Sequence, residues 1–283
     1  MLTLNIAVSG ATGFIGRHVL DELEQRGLTA TLLMRPSSRP LPQAGRHRVV
    51  RIDPAIPGEQ AYELCGRPEA LIHLAWGGLP NYWSLHHFEN ELPMQYRFIK
   101  QLVMSGLPNL VVAGTCLEYG LMSGPLNEDL DVRPVVPYAY SKDGLRRQLG
   151  FLKREKQFAL TWARLFYMHG EGQAATSLLP QLRSAVTRAE KRFPMSGGEQ
   201  LRDFLPVADV ARYLVELAGK QRDNGVVNVC SGKPISVRSL VEGWIEQHGW
   251  SIQPEFGVYP YPDYEPMAFW GDRRKLDRCL GNA

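Results

Sequence analysis

The sequence has few features of a metal centre, a disulfide framework or a membrane anchor. Its four cysteines, Cys65, Cys116, Cys230 and Cys279, lie far apart and show no metal-ligand spacing. We therefore interpret them as reduced thiols, which together with the absence of a leader-like N-terminal pattern predicts a cytoplasmic protein. No apolar run is long enough to span a bilayer, so no membrane association is expected.

Positive and negative side chains are nearly balanced in number. The chain has 32 Lys and Arg residues against 29 Asp and Glu residues, a net charge of +3. Such a balance does not indicate a nucleic-acid partner or an anionic membrane surface. The histidines include the adjacent pair His86 and His87 but no His-x-x-x-His spacing, so we expect no metal site.

Strand-like and helix-like segments alternate along the chain, which predicts an α/β fold with a doubly wound parallel sheet of the Rossmann type. Several of the strands are nearly continuous apolar runs, as expected of strands buried on both faces. The predicted strands are Leu4–Ser9, Ala30–Met34, Arg48–Ile52, Ala70–Ala75, Asn109–Ala113, Ala159–Leu165 and Val226–Val229. The predicted helices are Phe14–Arg26, a segment within Trp83–Met104, Ser141–Lys156, Ser177–Glu190, Val207–Leu217 and Val237–His248.

The alternation weakens from about Gly170, where Pro and Gly become frequent. This change predicts a smaller C-terminal lobe. We assign residues 1–169 and 203–232 to the Rossmann domain, and residues 170–202 and 233–283 to the smaller lobe.

The most informative segment runs from Leu4 to Gly16 and reads as a short apolar strand, a glycine-spaced turn and the start of a helix. Gly10 allows a tight turn, Gly13 lets backbone N–H groups close on a pyrophosphate, and Gly16 lets the helix pack close to the strand. The helix N-terminus offers unpaired N–H donors to phosphates. This pattern predicts a dinucleotide site rather than a plain strand–helix turn. The further contacts predicted around the turn are Thr12, Phe14 and Ile15.

The end of the second strand discriminates between the two nicotinamide dinucleotides, because an acid there binds the ribose 2′-OH of NAD. Here the strand ends at Arg35, and the loop that includes Ser38 and Arg39 has no acid. A guanidinium can bind a phosphate bidentately, so NADP(H) is favoured over NAD(H), with a solvated basic loop as the alternative. Asp53, at the end of the third strand, is predicted to contact the adenine or else to cap a turn.

A second candidate site is the pair Tyr138 and Lys142, which share one face if the segment is helical. A lysine ammonium near a phenol lowers the phenol's pKa, so that it can exchange a proton with a substrate oxygen near neutral pH. Thr115 closes the fifth strand at the carboxyl edge of the sheet, where ligands of open α/β folds bind. We predict that Thr115 holds a carbonyl oxygen while Tyr138 protonates it. The alternative is an ordinary amphipathic helix start.

These motifs belong to a longer series of motifs that follow one another along the chain. The series comprises the glycine turn, His73-Leu74-Ala75, Thr115 with Tyr119-Gly120, Tyr138 with Lys142, Arg164, Arg202-Asp203-Phe204 with Val207-Ala208-Asp209-Val210, and Asn228-Val229 with Ser231-Gly232. In this series of motifs the chain resembles the extended short-chain dehydrogenase/reductase family, in its NAD-dependent epimerase/dehydratase branch. The resemblance covers nearly the whole chain.

The resemblance implies roles for particular residues. Tyr138 would be the general acid/base, Lys142 would bind the nicotinamide ribose and tune Tyr138, and Thr115 would position the substrate oxygen. Leu74 and Ala75 would contact the coenzyme. The resemblance also implies a homodimer formed through the helices within 83–104 and 141–156.

On the substrate side, Arg202 matches the family's arginine that contacts a nucleotide-sugar diphosphate, with an ion pair to Asp203 as the alternative. Tyr167 replaces the usual Asn, which indicates an altered grip on the phosphates. The other residues predicted to contact substrate are Trp76 and His169.

Departures from the family narrow the reaction. The acidic pair that dehydratases carry after the threonine is replaced here by Cys116 and Leu117, and the cysteine and histidine of the epimerase-reductases align with Leu117 and Ser177. We therefore predict NADPH-dependent reduction of a keto group on a nucleotide sugar of the 4-keto-6-deoxyhexose type. The alternatives are a nucleotide-sugar 4-epimerase, an NADPH reductase of a non-nucleotide carbonyl, and a non-catalytic NADP-sensing regulator.

Overall fold

A parallel sheet forms the centre of the computed structural model, which describes residues 4–37 and 45–281. Ser38 and Arg39 of the predicted coenzyme loop therefore lie outside the described residues. Neighbouring strands of the sheet are all parallel. In spatial order its seven strands are β11 (Gly225–Val229), β7 (Ala159–Leu165), β5 (Asn109–Thr115), β4 (Ala70–His73), β1 (Ile6–Ser9), β2 (Ala30–Met34) and β3 (Arg48–Arg51).

This order confirms the predicted α/β fold of the doubly wound Rossmann type. From β1 the chain proceeds to β2 and β3 on one side and then returns to β4 and β5 on the other. The reversal leaves a crevice at the carboxyl ends of β1 and β4, which is where such sheets bind ligands.

Helices cover both faces of the sheet because the strands are apolar on both faces. In β1, Ile6 and Val8 pack into one buried cluster and Ala7 packs into the cluster on the opposite face. The first face carries α1 (Phe14–Gln25), α6 (Val207–Lys220) and α8 (Arg274–Leu280), and the second carries α2 (Ala61–Leu64), α3 (Leu92–Met104) and α4 (Pro137–Glu155). No helix among the described residues has both the length and the apolar character needed to cross a membrane.

Two prolines lie at helix starts. Pro93 lies in the first turn of α3, directly after a π-helical turn over His87–Glu91. Pro137 is the first residue of α4, so this helix begins earlier than predicted and includes Tyr138. The first turn of a helix leaves N–H groups unpaired in any case, and proline is therefore tolerated there.

The later part of the chain builds small sheets and a separate apolar cluster around α5 (Leu178–Thr187) and α7 (Val237–His248), in which Leu182 and Val241 are fully buried. None of the strands in the small sheets was predicted, and most of them have only three residues, which carry little sequence signal. The last helix, α8, packs against α6 and β11 instead, although the predicted lobe range of 233–283 includes it. The elements are β6 (Gly124–Leu126), β8 (Tyr167–His169), α5 (Leu178–Thr187), β9 (Arg192–Pro194), β10 (Leu201–Pro206), β12 (Pro234–Ser236), α7 (Val237–His248), β13 (Gln253–Glu255) and β14 (Phe269–Gly271).

Leu214 of α6 is fully buried in the cluster between this helix and the sheet. We expect Leu214→Ala to lower the free energy of unfolding by about 3 kcal/mol, because it removes buried methyl groups and leaves a cavity. Urea unfolding measures the change. The control is Leu121→Ala, since Leu121 is 53% exposed. Equal effects of the two substitutions would contradict the assigned core.

Candidate active site

The turn between β1 and α1 has room only for glycine at two positions. Gly10 has a φ of +76°, and a Cβ there would lie 2.7 Å from the backbone nitrogen of Ala75. A Cβ on Gly16 would lie 2.2 Å from the carbonyl oxygen of Gly10. The Gly13 N–H donates to that same oxygen at 3.0 Å and closes the turn. Helix α1 therefore begins unusually close to the end of the strand.

This arrangement fits a dinucleotide pyrophosphate. Gly13 caps α1 without a side-chain hydrogen bond, and the first turn of the helix contains no acid. The N–H groups there face outward with the positive end of the helix dipole, which favours phosphate. Phe14, Ile15 and Gly16, the predicted contacts, form this first turn.

A cavity of about 350 Å³ adjoins the turn at the carboxyl ends of β1, β2 and β4. Of the residues predicted to bind coenzyme or substrate, those that line it are Gly10, Thr12, Gly13, Arg35, Leu74, Ala75 and Trp76. Asp53 lies between Ile52 and Pro54, which also line it. The Asp53 carboxylate accepts the Ala55 N–H at 2.9 Å, which is the predicted turn role, and its contact with adenine stays a prediction.

Arg35 reaches a partner that the sequence did not indicate. Its guanidinium Nη2 lies 3.6 Å from Oε1 of Glu91, a buried residue at the end of the π-helical turn. The two residues come from opposite sides of β1 in the sheet order, so no local sequence pattern links them.

Thr115, Tyr138 and Lys142 meet at the carboxyl end of β5. Thr115 ends β5, Tyr138 lies in the first turn of α4, and the Thr115 side chain acts to lower the Tyr138 pKa. Lys142 Nζ donates to the carbonyl oxygen of Ala113 at 2.8 Å and lies 5.9 Å from the centre of the Tyr138 ring. The structure therefore brings together the three residues predicted to be catalytic.

Burial controls the proton affinities of this pair. It raises the pKa of Tyr138 well above its usual value, and the Thr115 side chain only partly offsets this. Burial also lowers the pKa of Lys142 to about 7, against the opposing charges of Glu118 and Glu91. The prediction that Lys142 lowers the Tyr138 pKa was therefore wrong: the pKa is raised, chiefly by desolvation, and Lys142 is not among the groups that shift it. At neutral pH the phenol is protonated and able to donate.

A buried carboxylate supports this end of β5. Glu118 accepts the Thr115 N–H at 2.9 Å, the Trp162 Nε1–H at 2.9 Å and the Arg164 Nε–H at 2.7 Å. The Thr115 hydroxyl oxygen in turn accepts the Leu117 N–H, which completes a capping box. Glu118 was not predicted, although the spacing Thr115-x-x-Glu118 is the capping-box signal that would have identified it.

The two residues after Thr115 provide no second acid or base. Cys116 is buried in an apolar cluster, where burial raises the pKa of its thiol. Leu117 packs against Tyr138. This agrees with the sequence comparison, in which the acidic pair of the dehydratases and the cysteine of the epimerase-reductases are both replaced.

Aromatic side chains surround Tyr138. Trp76 stacks over Lys142, with Nζ 4.0 Å from the ring centre, and donates its Nε1–H to Nδ1 of His87 at 3.1 Å. The Tyr82 ring lies 5.5 Å from the Tyr138 ring and 6.0 Å from the ring of Tyr264. Trp76, a predicted substrate contact, therefore lies between the coenzyme cavity and the Tyr138–Lys142 pair.

Arg202 is buried and pairs with Glu265. Its Nη2 and Nε donate to Oε2 of Glu265 at 3.0 and 3.3 Å, and the Tyr167 hydroxyl donates to the other carboxylate oxygen. The alternative partner, Asp203, instead accepts backbone N–H groups, including those of Ser231 and Gly232. The ion pair considered with Asp203 is therefore not formed.

Glu265 lies 63 residues after Arg202, and nothing near it in the sequence marks it as a site residue. His169 lies in β8, with its ring edge-on to Trp244 of α7 at 5.4 Å. Its predicted contact with substrate stays a prediction, as do those of Tyr167 and Arg202.

Over residues 6–230 the chain matches the sequence model of the NAD dependent epimerase/dehydratase family. The chain belongs to this family. The resemblance inferred from the ordered motifs is thereby confirmed.

Two curated relatives and one solved structure match most of the chain. It is 31% identical over 270 residues to the dTDP-6-deoxy-L-talose 4-dehydrogenase (NAD(+)) of Aggregatibacter actinomycetemcomitans, which covers 95% of this chain and 99% of that protein. It is 26% identical to the dTDP-6-deoxy-L-talose 4-dehydrogenase (NAD(P)(+)) of Kitasatospora kifunensis, over 91% of this chain and 83% of that protein. The structure of MoeE5 in complex with UDP-glucuronic acid and NAD superposes with a TM-score of 0.83 at 28% identity, over 98% and 92% of the two chains.

These findings establish an enzyme of the NAD(P)-dependent oxidoreductase type. The prediction of an enzyme is confirmed, and the alternative of a non-catalytic regulator gains no support. The relatives are named for NAD(+) in one case and NAD(P)(+) in the other, so they support NAD(P) as the coenzyme class without choosing between the two.

Gly16→Ala tests the glycine cradle. The added Cβ would force α1 away from the Gly10 carbonyl, so we expect the affinity for NAD(P) to fall at least about tenfold. Titration calorimetry with each dinucleotide measures it. The matched control is Gly150→Ala in α4, where a Cβ meets no atom within 4 Å. Unchanged dinucleotide affinity in the Gly16 variant would show that the cradle is not the binding site.

Proposed function

We propose that the protein is an NADP(H)-dependent oxidoreductase that reduces the 4-keto group of a dTDP-linked 6-deoxyhexose. The observation that carries this is the group Thr115, Tyr138 and Lys142 at the end of β5, where Trp76 contacts both Tyr138 and Lys142 and also lines the cavity beside the glycine turn. The names of the two curated relatives support the substrate class, since 4-dehydrogenation and reduction of a 4-keto sugar are one reaction written in opposite directions.

The residues around the substrate carbonyl have separate roles in the protonation of its oxygen. Tyr138, protonated at neutral pH with a pKa that burial raises further, holds the proton on its phenol oxygen and donates it to the developing alkoxide. Thr115 orients the same carbonyl oxygen through its hydroxyl, and Glu118 holds the backbone of Thr115 in place. NADPH, when bound, supplies the hydride. Lys142, whose Nζ is 5.9 Å from the centre of the Tyr138 ring, is assigned to the nicotinamide ribose.

Arg35 and Arg202 are assigned to the two anionic ends of the bound molecules. Arg35 lines the coenzyme cavity and has the charge to bind a 2′-phosphate, which supports NADP(H). Arg202 is assigned to the substrate diphosphate. Because Glu265 already holds its guanidinium, an incoming diphosphate must displace this carboxylate.

We also propose a homodimer formed through α3 and α4. A groove between these helices is lined by Tyr96, Met104 and Phe151, and the last two are exposed apolar side chains. Exposed apolar surface of this kind on two adjacent helices favours association with a second copy.

Tyr138→Phe tests the proton donor. It removes the hydroxyl and keeps the ring, so we expect turnover to fall by a factor of at least about 100 while NADPH affinity stays within about twofold. The assay follows NADPH oxidation with dTDP-4-keto-6-deoxyhexoses. Tyr140→Phe is the control, because Tyr140 is 61% exposed on the same helix. A Tyr138 variant with the rate of the unmodified enzyme would refute the assignment.

The same assay separates the other candidate reactions. A 4-epimerase would interconvert the C4 epimers without net oxidation of NADPH. A reductase of non-nucleotide carbonyls would oxidise NADPH with free keto sugars or aldehydes and gain nothing from the nucleotide.

Glu265→Gln tests the assignment of Arg202. Removing the competing charge leaves the guanidinium free for a diphosphate, so we expect dTDP to bind about tenfold more tightly. Titration calorimetry measures this. Asp263→Asn, an exposed acid in the same segment, controls for general charge effects. Weaker dTDP binding in the Glu265 variant would instead make the carboxylate itself a ligand of the nucleotide.

A further inference from the structure

Glu91 is a buried acid that contacts residues lining the coenzyme cavity, and neither the fold nor the proposed catalysis accounts for it. Its side chain is 2% exposed. One carboxylate oxygen accepts the Gln95 Nε2–H at 2.9 Å, and the backbone N–H of Gly77 donates to the same carboxylate. Gln95 and Gly77 both line the cavity. The carboxylate is therefore anchored from behind by neutral donors.

Two cationic or titratable side chains face this carboxylate from the front. Oε1 of Glu91 lies 3.6 Å from Arg35 Nη2 and 3.4 Å from His86 Nε2. Burial acts to raise the pKa of Glu91, but the hydrogen bonds behind it and the positive charges in front outweigh burial and leave the pKa below its usual value. The carboxylate is therefore ionised at neutral pH.

Of the two side chains in the Arg35–Glu91 pair, Arg35 is the freer to move. Glu91 is anchored and buried, whereas the side chain of Arg35 is 47% exposed and extends from the end of β2. If the pair opens, Arg35 is the partner that moves. The carboxylate thus competes with any phosphate that approaches the guanidinium.

We propose that Glu91 sets the coenzyme selectivity of this enzyme by holding Arg35 and so reducing the advantage of NADP(H) over NAD(H). The inference rests on the proposed role of Arg35 as the ligand of the 2′-phosphate. A coenzyme with a 2′-phosphate must break the Arg35–Glu91 pair, and this lowers the net gain from the new contact. A coenzyme with a free 2′-hydroxyl leaves the pair intact and leaves no charge unpaired.

A purely structural role for Glu91 predicts a different outcome. If the carboxylate only joins the π-helical turn to the Gly77 loop, its loss weakens both coenzymes alike. The ratio of the two affinities separates the cases, because NADP⁺ and NAD⁺ differ only in the 2′-phosphate and every shared effect cancels.

The experiment measures the dissociation constants of NADP⁺ and NAD⁺ by titration calorimetry on the full chain, without any sugar. We expect Glu91→Gln to raise the preference for NADP⁺ about tenfold, because the amide keeps the hydrogen bonds but not the charge. The matched control is Glu89→Gln, an exposed acid on the same turn, which should leave the ratio unchanged.

Arg35→Ala supplies the reference. It should abolish the preference for NADP⁺, and Glu91→Gln added to it should then leave the ratio unchanged. If Arg35→Ala leaves the ratio unaltered, the 2′-phosphate role in the proposed function is wrong. If Arg35→Ala lowers the ratio but Glu91→Gln does not raise it, the inference about Glu91 is overturned and the role of Arg35 remains.

A second variant keeps the test decisive if Glu91→Gln does not fold. Glu91→Asp retains the charge but withdraws it from Arg35 by one methylene. We expect a smaller rise in the NADP⁺ preference, about threefold. A ratio equal to that of the unmodified protein in this variant would overturn the inference.

Discussion

The close approach of α1 to the turn after β1 is the constraint on which the rest of the site depends. Gly16 lies against the carbonyl oxygen of Gly10, and Gly10 lies against the backbone of Ala75, at distances that no side chain would permit. The N-terminus of α1 is thereby directed into the crevice where the strand order reverses. The glycine turn and the cavity beside it, which we propose bind the coenzyme, are arranged around this contact.

A second theme is the pairing of positive groups with acids from distant parts of the chain. Arg35 lies near Glu91, Arg202 is held by Glu265, and Lys142 is influenced by Glu118. A buried or half-buried cation without a partner is costly, so a compensating carboxylate is expected. The 2′-phosphate proposed for Arg35 and the substrate diphosphate proposed for Arg202 would therefore each exchange with a carboxylate of the chain. In that proposal the acids contribute to selectivity even where they touch no ligand.

Local patterns predicted much of the fold. The strands Ala30–Met34 and Ala159–Leu165 and the helix Val237–His248 occur with the predicted bounds, because each is a long periodic or apolar segment between clear breaks. Four of the strands missed after Gly170, β9, β12, β13 and β14, have three residues each, which cannot display a period. Likewise α8 packs on the sheet because Leu276 and Leu280 fill the cluster with α6, which a change of composition along the chain could not reveal.

For the site, the sequence predicted the glycine turn and the grouping of Thr115, Tyr138 and Lys142. Each prediction depends on short spacings and on the rule that parallel strands end at one edge. The facing of charges from distant segments is visible only in the folded chain. The partners of Arg35 and Arg202 are 56 and 63 residues away in the chain, and burial, not sequence spacing, raises the pKa of Tyr138 and lowers that of Lys142. Desolvation and long-range pairing depend on the packing of the whole chain, and no local pattern encodes them.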